Sequence, residues 1–156
     1  GDHELLKYAP SLNINGQSIT DVKEDKLGKI WIAGSRFFGK FRISDDSLII
    51  EKQYSIADGI ASSEIHEIHC DRSNRIWIFT ANGLNCIDQE SDEIRYFGVK
   101  DGLPQVFIDP RQILEDKDGR IITVNKTGLI FFDPDDFRCG WPFHRERPSP
   151  SDLDDP

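Results

Sequence analysis

The chain has no methionine and only three cysteines among its 156 residues, and no stretch approaches the roughly 18 consecutive apolar residues of a membrane span. It begins at Gly1 and carries no signal peptide, so we expect an excised piece of a longer protein. Basic side chains are fewer than acidic ones, 19 against 28, which gives a net charge of −9. That charge argues against nucleic acid and against direct contact with an anionic membrane.

The cysteines do not have the spacing of a metal site. Cys70 and Cys86 lie in one stretch of sequence, and Cys139 stands apart. Small cysteine side chains are common in protein cores, so buried thiols are the expected state. A disulfide between Cys70 and Cys86 across adjacent strands is the alternative.

One motif occurs three times, at intervals of 46 and 45 residues. A period of about 40 to 50 residues built from short strands is typical of propeller blades. A single unit of this kind cannot bury its own apolar faces and needs its neighbours to do so. Function is therefore inferred by comparing the repeats rather than from one motif. The copies are Asp25-Lys26-Leu27-Gly28-Lys29-Ile30-Trp31-Ile32, Asp71-Arg72-Ser73-Asn74-Arg75-Ile76-Trp77-Ile78 and Asp116-Lys117-Asp118-Gly119-Arg120-Ile121-Ile122-Thr123.

Each copy resolves into strand-sized runs separated by turn residues, and no run shows helical periodicity. The sequence therefore predicts an all-β fold of about three four-stranded antiparallel blades plus one strand of a preceding blade, an incomplete propeller. The predicted blade boundaries are 5–18 (partial), 19–60, 61–106 and 107–137 (partial), within a propeller fragment over 1–137. Residues 138–156 form a Pro-rich tail outside the repeats. The predicted strands are 19–24, 29–33, 39–43 and 48–55, then 65–70, 75–80, 84–88 and 93–97, then 111–115, 120–124 and 129–132.

Within the repeat, the Asp-x-x-Gly or Asp-x-x-Asn element predicts a tight turn between the first and second strands. The aspartate caps the turn, and Gly or Asn accepts the positive φ. Trp31 and Trp77 occupy one position of the second strand, where a large aromatic side chain is expected to fill the space between adjacent blades. Ile122 replaces it in the third copy, so that blade is expected to pack less aromatic surface.

These repeats resemble the two-component regulator propeller repeat. Its blades read roughly Ile-x-x-Ile-x-x-Asp-x-x-Gly-x-Ile-Trp-Ile-Gly-Thr, then Gly-Leu-x-x-Phe-Asp, an aromatic strand and Asp-Gly-Leu. The resemblance covers about residues 5–137. It implies the periplasmic, non-catalytic sensor propeller of a hybrid histidine kinase that senses a carbohydrate or its breakdown product. It implies no cofactor. The residues that match in one pass are Ile65, Ile68, Asp71, Ile76, Trp77, Ile78, Thr80, Gly83, Leu84, Ile87, Asp88, Tyr96, Asp101, Gly102 and Leu103.

Positions that differ between copies are free to serve a ligand, whereas positions filled alike are needed by the blade. First strands line the central channel of a propeller, so polar side chains that vary along them are candidate ligand contacts, with ordinary channel polarity as the alternative. These equivalent sets are Thr20, His66 and Arg111, and Asp21, Glu67 and Gln112. The net charge favours a neutral or cationic oligosaccharide, although the guanidinium of Arg111 can hold a uronate.

A second candidate surface is the loop between the second and third strands, with Arg36, Phe37 and Phe38 in the first copy. There the aromatic rings either stack on a sugar or cap a blade edge. This copy departs from the family pattern between Ala33 and Gly39, so the shape of its loop is not predicted.

No metal site or catalytic site is expected. His66 and His69 are three residues apart and would point to opposite faces of a regular strand, and the turn at Asp116 lacks the closing glutamate of a calcium loop. No nucleophile elbow or phosphate loop occurs.

The alternatives to a sensor are a propeller lyase or hydrolase acting on polysaccharide and a structural interaction scaffold. Unpaired blade edges also predict self-association or dimerisation.

Overall fold

The computed structural model describes residues 18–45, 47–103, 112–125 and 128–137. The predicted partial blade at 5–17, residue Arg111 and the tail at 138–156 lie outside these ranges. Apart from two short 3-10 turns, the regular structure in the described ranges is all β. The strands are β1 (Ile19–Glu24), β2 (Ile30–Gly34), β3 (Phe37–Ser44), β4 (Ser47–Tyr54), β5 (Ile65–Cys70), β6 (Ile76–Thr80), β7 (Gly83–Asp88), β8 (Glu93–Phe97), β9 (Ile113–Glu115), β10 (Ile121–Asn125) and β11 (Gly128–Phe132).

The strands form three separate antiparallel sheets in simple meander order, which confirms the predicted blades. The first blade is β1-β2-β3-β4, the second is β5-β6-β7-β8, and the third contains β9-β10-β11. Short 3-10 turns at Ile56–Asp58 and Val99–Asp101 begin the connections to the next blade. Each turn ends at a left-handed glycine, Gly59 or Gly102, as the repeated Asp-Gly element requires.

The predicted aspartate turns are present in all three blades. In each, one carboxylate oxygen of the aspartate accepts the backbone N–H groups of the residues two and four positions later, at 2.9 to 3.0 Å. The residue three positions after the aspartate has positive φ: 73° at Gly28, 63° at Asn74 and 91° at Gly119. Glycine and asparagine are the residues that adopt this conformation at little cost, which explains the pattern of the motif.

The two tryptophans fill the spaces between blades, as predicted. Trp31 is completely buried and packs with Ile65 and Ile68 of the second blade. Trp77 is also completely buried, and it packs against Ile121 and Phe132 of the third blade. The blades are therefore held together mainly by apolar contacts between the faces of neighbouring sheets.

Cys70 and Cys86 are both thiols, as expected. The alternative of a disulfide between adjacent strands is wrong, because Cys70 lies on β5 and Cys86 on β7, with β6 between them. Cys86 is completely buried among the apolar residues between the second and third blades. Burial also raises the pKa of the Cys70 thiol to about 11.

One face of the third blade remains exposed. Leu114, Ile122 and Phe131 stand opposite one another across the three strands, and Val124 pairs with Leu129 two residues further along. The exposed fractions of Leu114, Leu129 and Phe131 are 61%, 61% and 64%. Ile122, the residue that replaces the tryptophan, lies on this same face, which we call the open face. An apolar surface of this kind on a sheet favours association with another sheet.

We expect the chain to self-associate through the open face, because burying these side chains against a second copy removes them from water. Light scattering over a dilution series measures this as an average mass that rises with concentration. Phe131→Lys is expected to weaken the association. Leu27→Lys is the control, since Leu27 is equally exposed, at 69%, but lies on a turn of the first blade. A monomer at every concentration contradicts the expectation.

Candidate ligand-binding site

The first strands of the first two blades, β1 and β5, are irregular at equivalent positions. The register of β1 against β2 shifts between Ile19 and Asp21, and that of β5 against β6 shifts between Ile65 and Glu67. Thr20 and His66 are the extra residues of these two bulges. A bulge re-aims a side chain out of the regular alternation, so both blades present the variable position in the same irregular geometry.

The bulge changes the interpretation of the two histidines. The expectation that His66 and His69 point to opposite faces assumed a regular strand, which β5 is not. His69 Nε2 lies 3.3 Å from the Glu115 carboxylate of the third blade. His66 Nε2 is enclosed and has no hydrogen-bond partner in the described part of the chain. No group of three or more potential metal ligands is found among the described residues.

Several candidate channel residues contact the neighbouring blade. Thr20 Oγ1 donates to the Ile65 carbonyl at 3.2 Å, and Asp21 Oδ2 accepts the Ile68 N–H at 3.0 Å. These bonds join β1 to β5 across the gap between blades. Glu67 repeats the arrangement one blade later, with its carboxylate against the backbone N–H of Ile113. Gln112 is exposed just before β9, and Arg111 lies outside the described residues.

Burial raises the pKa of the Glu67 carboxyl, the charge of Asp21 raises it further, and Lys23 and the Ile113 N–H only partly oppose this. A carboxyl with a raised folded-state pKa costs stability once it ionises and costs nothing below its unfolded pKa of about 4.3. We therefore expect Glu67→Gln to raise the free energy of unfolding at pH 7 and not at about pH 4. Glutamine is the residue at this position of the third copy, Gln112.

Urea denaturation of wild type and Glu67→Gln at the two pH values checks this. Glu64→Gln is the control, because Glu64 is exposed and lies three residues earlier. A Glu67→Gln variant that is less stable than wild type at pH 7 contradicts the expectation. It would mean that the bond to the Ile113 N–H outweighs the cost of the buried charge.

The loop between the second and third strands of the first blade is as short as its counterpart in the second blade. Gly34 pairs with Phe37, just as Thr80 pairs with Gly83, so each turn has two residues. Phe37 and Phe38 therefore belong to β3 and are not in the loop where the sequence interpretation placed them. Phe38 is buried against Trp31, with ring centroids 5.5 Å apart.

Phe37 is 7% exposed and its ring lies 5.7 Å from that of Phe41. This packing supports the interpretation of Phe37 as an edge cap. Arg36, the second residue of the turn, is exposed and has a φ of 122°, an unusual value for a residue with a side chain.

A cleft of about 360 Å³ lies beside this turn, between the first and second blades. Its size is within the range of small-molecule sites, about 300–1,000 Å³. Aromatic and aliphatic side chains form much of its surface, and hydroxyl and amide groups lie among them. Two of the predicted site residues, Arg36 and Phe37, therefore lie at one cleft. Its lining residues are Arg36, Phe37, Phe38, Gln53, Tyr54, Ser55, Ile56, Ala57, Ile60, Ser62, Ser63 and Ile65.

One wall of the cleft is the connection between the blades, and Asn85 holds it in place. The Asn85 side chain donates to the Gly59 carbonyl at 3.0 Å and accepts the Ala61 N–H at 2.8 Å. It is completely buried in the middle of β7. Sequence reasoning missed this residue. The available signal was a polar amide within a strand, a position that asparagine seldom occupies.

The opposite wall includes Tyr54, whose ring stacks on Trp31 at 5.7 Å. Its hydroxyl donates to Asp92 of the second blade at 3.0 Å. Burial and the Asp92 carboxylate together raise the pKa of Tyr54, so the phenol stays neutral. Asp92 also pairs with Lys52, and this hydrogen bond is the main reason why the pKa of Asp92 is lowered.

No family model matches the chain, and no curated protein matches it. Solved structures do. The extracellular domain of the hybrid two-component system BT4673 from B. thetaiotaomicron aligns with a TM-score of 0.61 at 22% identity, over 76% of this chain and 17% of that one. The extracellular domain of the hybrid two-component system BT3049 from the same organism aligns with a TM-score of 0.58 at 23% identity, over 83% and 19%.

An inactive variant of virginiamycin B lyase from Staphylococcus aureus also aligns, with a TM-score of 0.52 at 16% identity, over 78% of this chain and 43% of that one. At these identities the likenesses show the fold, and they confirm the β-propeller architecture that the repeats predict. The chain spans less than a fifth of the length of the two-component domains. Within the described residues, no helix is long and apolar enough to cross a membrane.

Proposed function

We propose that this chain is part of the extracytoplasmic, periplasmic sensor propeller of a hybrid two-component signalling protein. The observation that carries the proposal is the match of its blades to the extracellular domains of two such systems. The family resemblance of the repeats supports the same assignment from the sequence. In this role the chain binds a ligand and catalyses no reaction, and the kinase activity belongs to another part of the protein.

The proposed ligand is a carbohydrate or its breakdown product. The cleft supports this because it combines apolar surface, including the exposed side chain of Ile56, with the hydroxyls of Ser62 and Ser63. Sugars present both apolar ring faces and many hydroxyl groups, so a mixed surface of this kind suits them.

Binding can be relayed through the contacts between blades. The cleft lies where the first blade meets the second, close to Ile65, whose carbonyl accepts the hydroxyl of Thr20. A ligand that binds one arrangement of the two blades more tightly than another shifts the balance between the arrangements. Such a shift in blade packing is the proposed signal.

The test is calorimetry of the chain with a panel of neutral and acidic oligosaccharides, combined with an assay for new reducing ends or unsaturated products. Binding without turnover is the expected result. Turnover would instead support the alternative of a polysaccharide lyase or hydrolase. No binding by any glycan, together with specific binding of another protein, would support an interaction scaffold.

A further inference from the structure

We infer that the cleft between the first two blades takes a ligand with a single carboxylate, such as an acidic sugar, and that Arg36 binds this carboxylate. The claim that the ligand is a sugar rests on the proposed function, whereas the claim that it carries a carboxylate does not. Among the described residues that line the cleft, Arg36 is the one with a charged side chain. A planar guanidinium matches a carboxylate through two parallel hydrogen bonds, so it selects this group over a neutral one.

Arg36 is available for a ligand. Its side chain is exposed and makes no ion pair with an acidic residue in the described part of the chain. Most other cations are engaged: Lys52 pairs with Asp92, for example, and Arg75 with Asp71. Arg36 therefore presents its positive charge at the rim of a largely apolar cleft, with no acidic partner among the described residues.

The backbone conformation of the turn fixes the position from which the Arg36 side chain extends. Arg36 is the second residue of a two-residue turn, its φ is 122°, and its N–H donates to the Gly34 carbonyl at 2.9 Å. This conformation suits glycine better than arginine, so the turn carries the arginine at some cost in strain. Backbone strain of this kind marks a candidate functional position, which agrees with a ligand-binding role for the side chain.

The acidic groups near the cleft are already engaged. The Asp58 carboxylate accepts both the N–H and the hydroxyl of Ser55, at 2.8 and 2.6 Å. Asp92 is bound by Lys52 and by the Tyr54 hydroxyl. Their charges are therefore partly compensated at short range, and a guanidinium contact is strong enough to hold one carboxylate there. Several carboxylates on one ligand would meet the unfavourable overall charge instead.

Ser62 and Ser63 stand on the connection side of the cleft. The Ser62 hydroxyl oxygen accepts the Glu64 N–H at 3.1 Å, which leaves its O–H free to donate. Hydroxyl donors on one wall and a guanidinium on the other suit a sugar that carries both hydroxyls and a carboxylate. Phe37 and Ile60 provide the apolar surface between them.

The experiment is calorimetry of the whole chain with an aldobiouronic acid, a disaccharide with one carboxylate, and with its methyl ester, which has the same shape and no charge. Arg36→Gln keeps the Cβ and therefore the same backbone strain, so folding is expected to be unchanged. Lys100→Gln is the control. Lys100 is likewise exposed and lies on the 3-10 turn of the next connection, so its loss removes the same unit of charge elsewhere.

We expect the acid to bind more tightly than the ester, and Arg36→Gln to weaken the acid about tenfold to a hundredfold, as for the loss of a charged hydrogen bond. Lys100→Gln should change little. Equal binding of acid and ester, unaffected by Arg36→Gln, overturns the inference and leaves the proposed carbohydrate function intact. If neither disaccharide binds but butyrate, a monocarboxylate without hydroxyl groups, binds in an Arg36-dependent way, the carbohydrate proposal fails and the carboxylate site stands. Absence of all binding overturns both.

Discussion

Trp77→Ala is expected to lower the free energy of unfolding by about 3–5 kcal/mol, the usual cost of truncating a large, fully buried aromatic residue. Trp77 has no exposed surface, and its ring lies 5.9 Å from that of Phe97 and 5.3 Å from that of Phe132. Phe97 belongs to the second blade and Phe132 to the third. The cavity left by the indole would therefore open between the blades as well as within one of them.

Denaturant unfolding measures the effect, with His66→Ala as the control. His66 sits at a bulge in the same blade and its Nε2 makes no hydrogen bond in the described part of the chain, so its loss should cost less than about 1 kcal/mol. If both variants unfold at the same denaturant concentration, the division of the repeat into structural and variable positions is wrong. A change in the slope of the transition would show that the surface exposed on unfolding has changed or that unfolding is no longer two-state.

The local parts of the fold are readily predicted from this sequence. An aspartate followed three residues later by Gly28, Asn74 or Gly119 specifies a turn within a few residues, since the cap and the positive φ are both local requirements. The tryptophan positions are also predictable, because the copies at Trp31 and Trp77 share a register. Comparison of copies within one chain thus locates the blade core.

The cleft and the bulges are not predictable in this way. A bulge depends on the register of one strand against another, and nothing in the residues around Thr20 and His66 signals the extra residue. The cleft depends on how the connection folds back onto Asn85, a contact across 26 residues between Asn85 and Gly59. The sequence likewise predicts Phe37 in a loop. This prediction fails because strand pairing sets the length of the turn beside Phe37, and the pairing cannot be read from the sequence.

The role of the motif aspartate also goes beyond what the sequence predicts. Besides closing its turn, Asp71 accepts the indole N–H of Trp77 at 2.8 Å and the Arg75 guanidinium at 2.6 Å, both on Oδ2. Asp25 makes the equivalent bond to Trp31 at 2.9 Å. The sequence shows that aspartate and tryptophan recur six residues apart. Their hydrogen bond becomes evident only when the turn brings the two side chains together in the core.

Asp71→Ala is accordingly expected to cost about 3–5 kcal/mol, the range for breaking a buried ion pair. The Asp71 side chain is fully buried, and Arg75 is only 12% exposed. The substitution leaves the buried indole N–H of Trp77 without its acceptor and removes the buried partner of Arg75, which keeps its bonds to the Pro134 carbonyl and the exposed Asp135 carboxylate. Arg75 will remain charged in the wild type. Burial disfavours its charge, yet the Asp71 carboxylate more than offsets this, and the pKa of Arg75 is raised.

Asp116→Ala is the matched control for this prediction. Asp116 makes the same two turn hydrogen bonds and pairs with Arg120, but Arg120 is 50% exposed and no tryptophan occupies the third copy. Its loss should cost much less than the loss of Asp71, because its hydrogen bonds lie near solvent. The difference between the two variants measures what the buried indole and guanidinium contacts add. Similar losses for Asp71→Ala and Asp116→Ala would show that the aspartate acts only as a turn cap, and that apolar packing alone accounts for the stability of the tryptophan core.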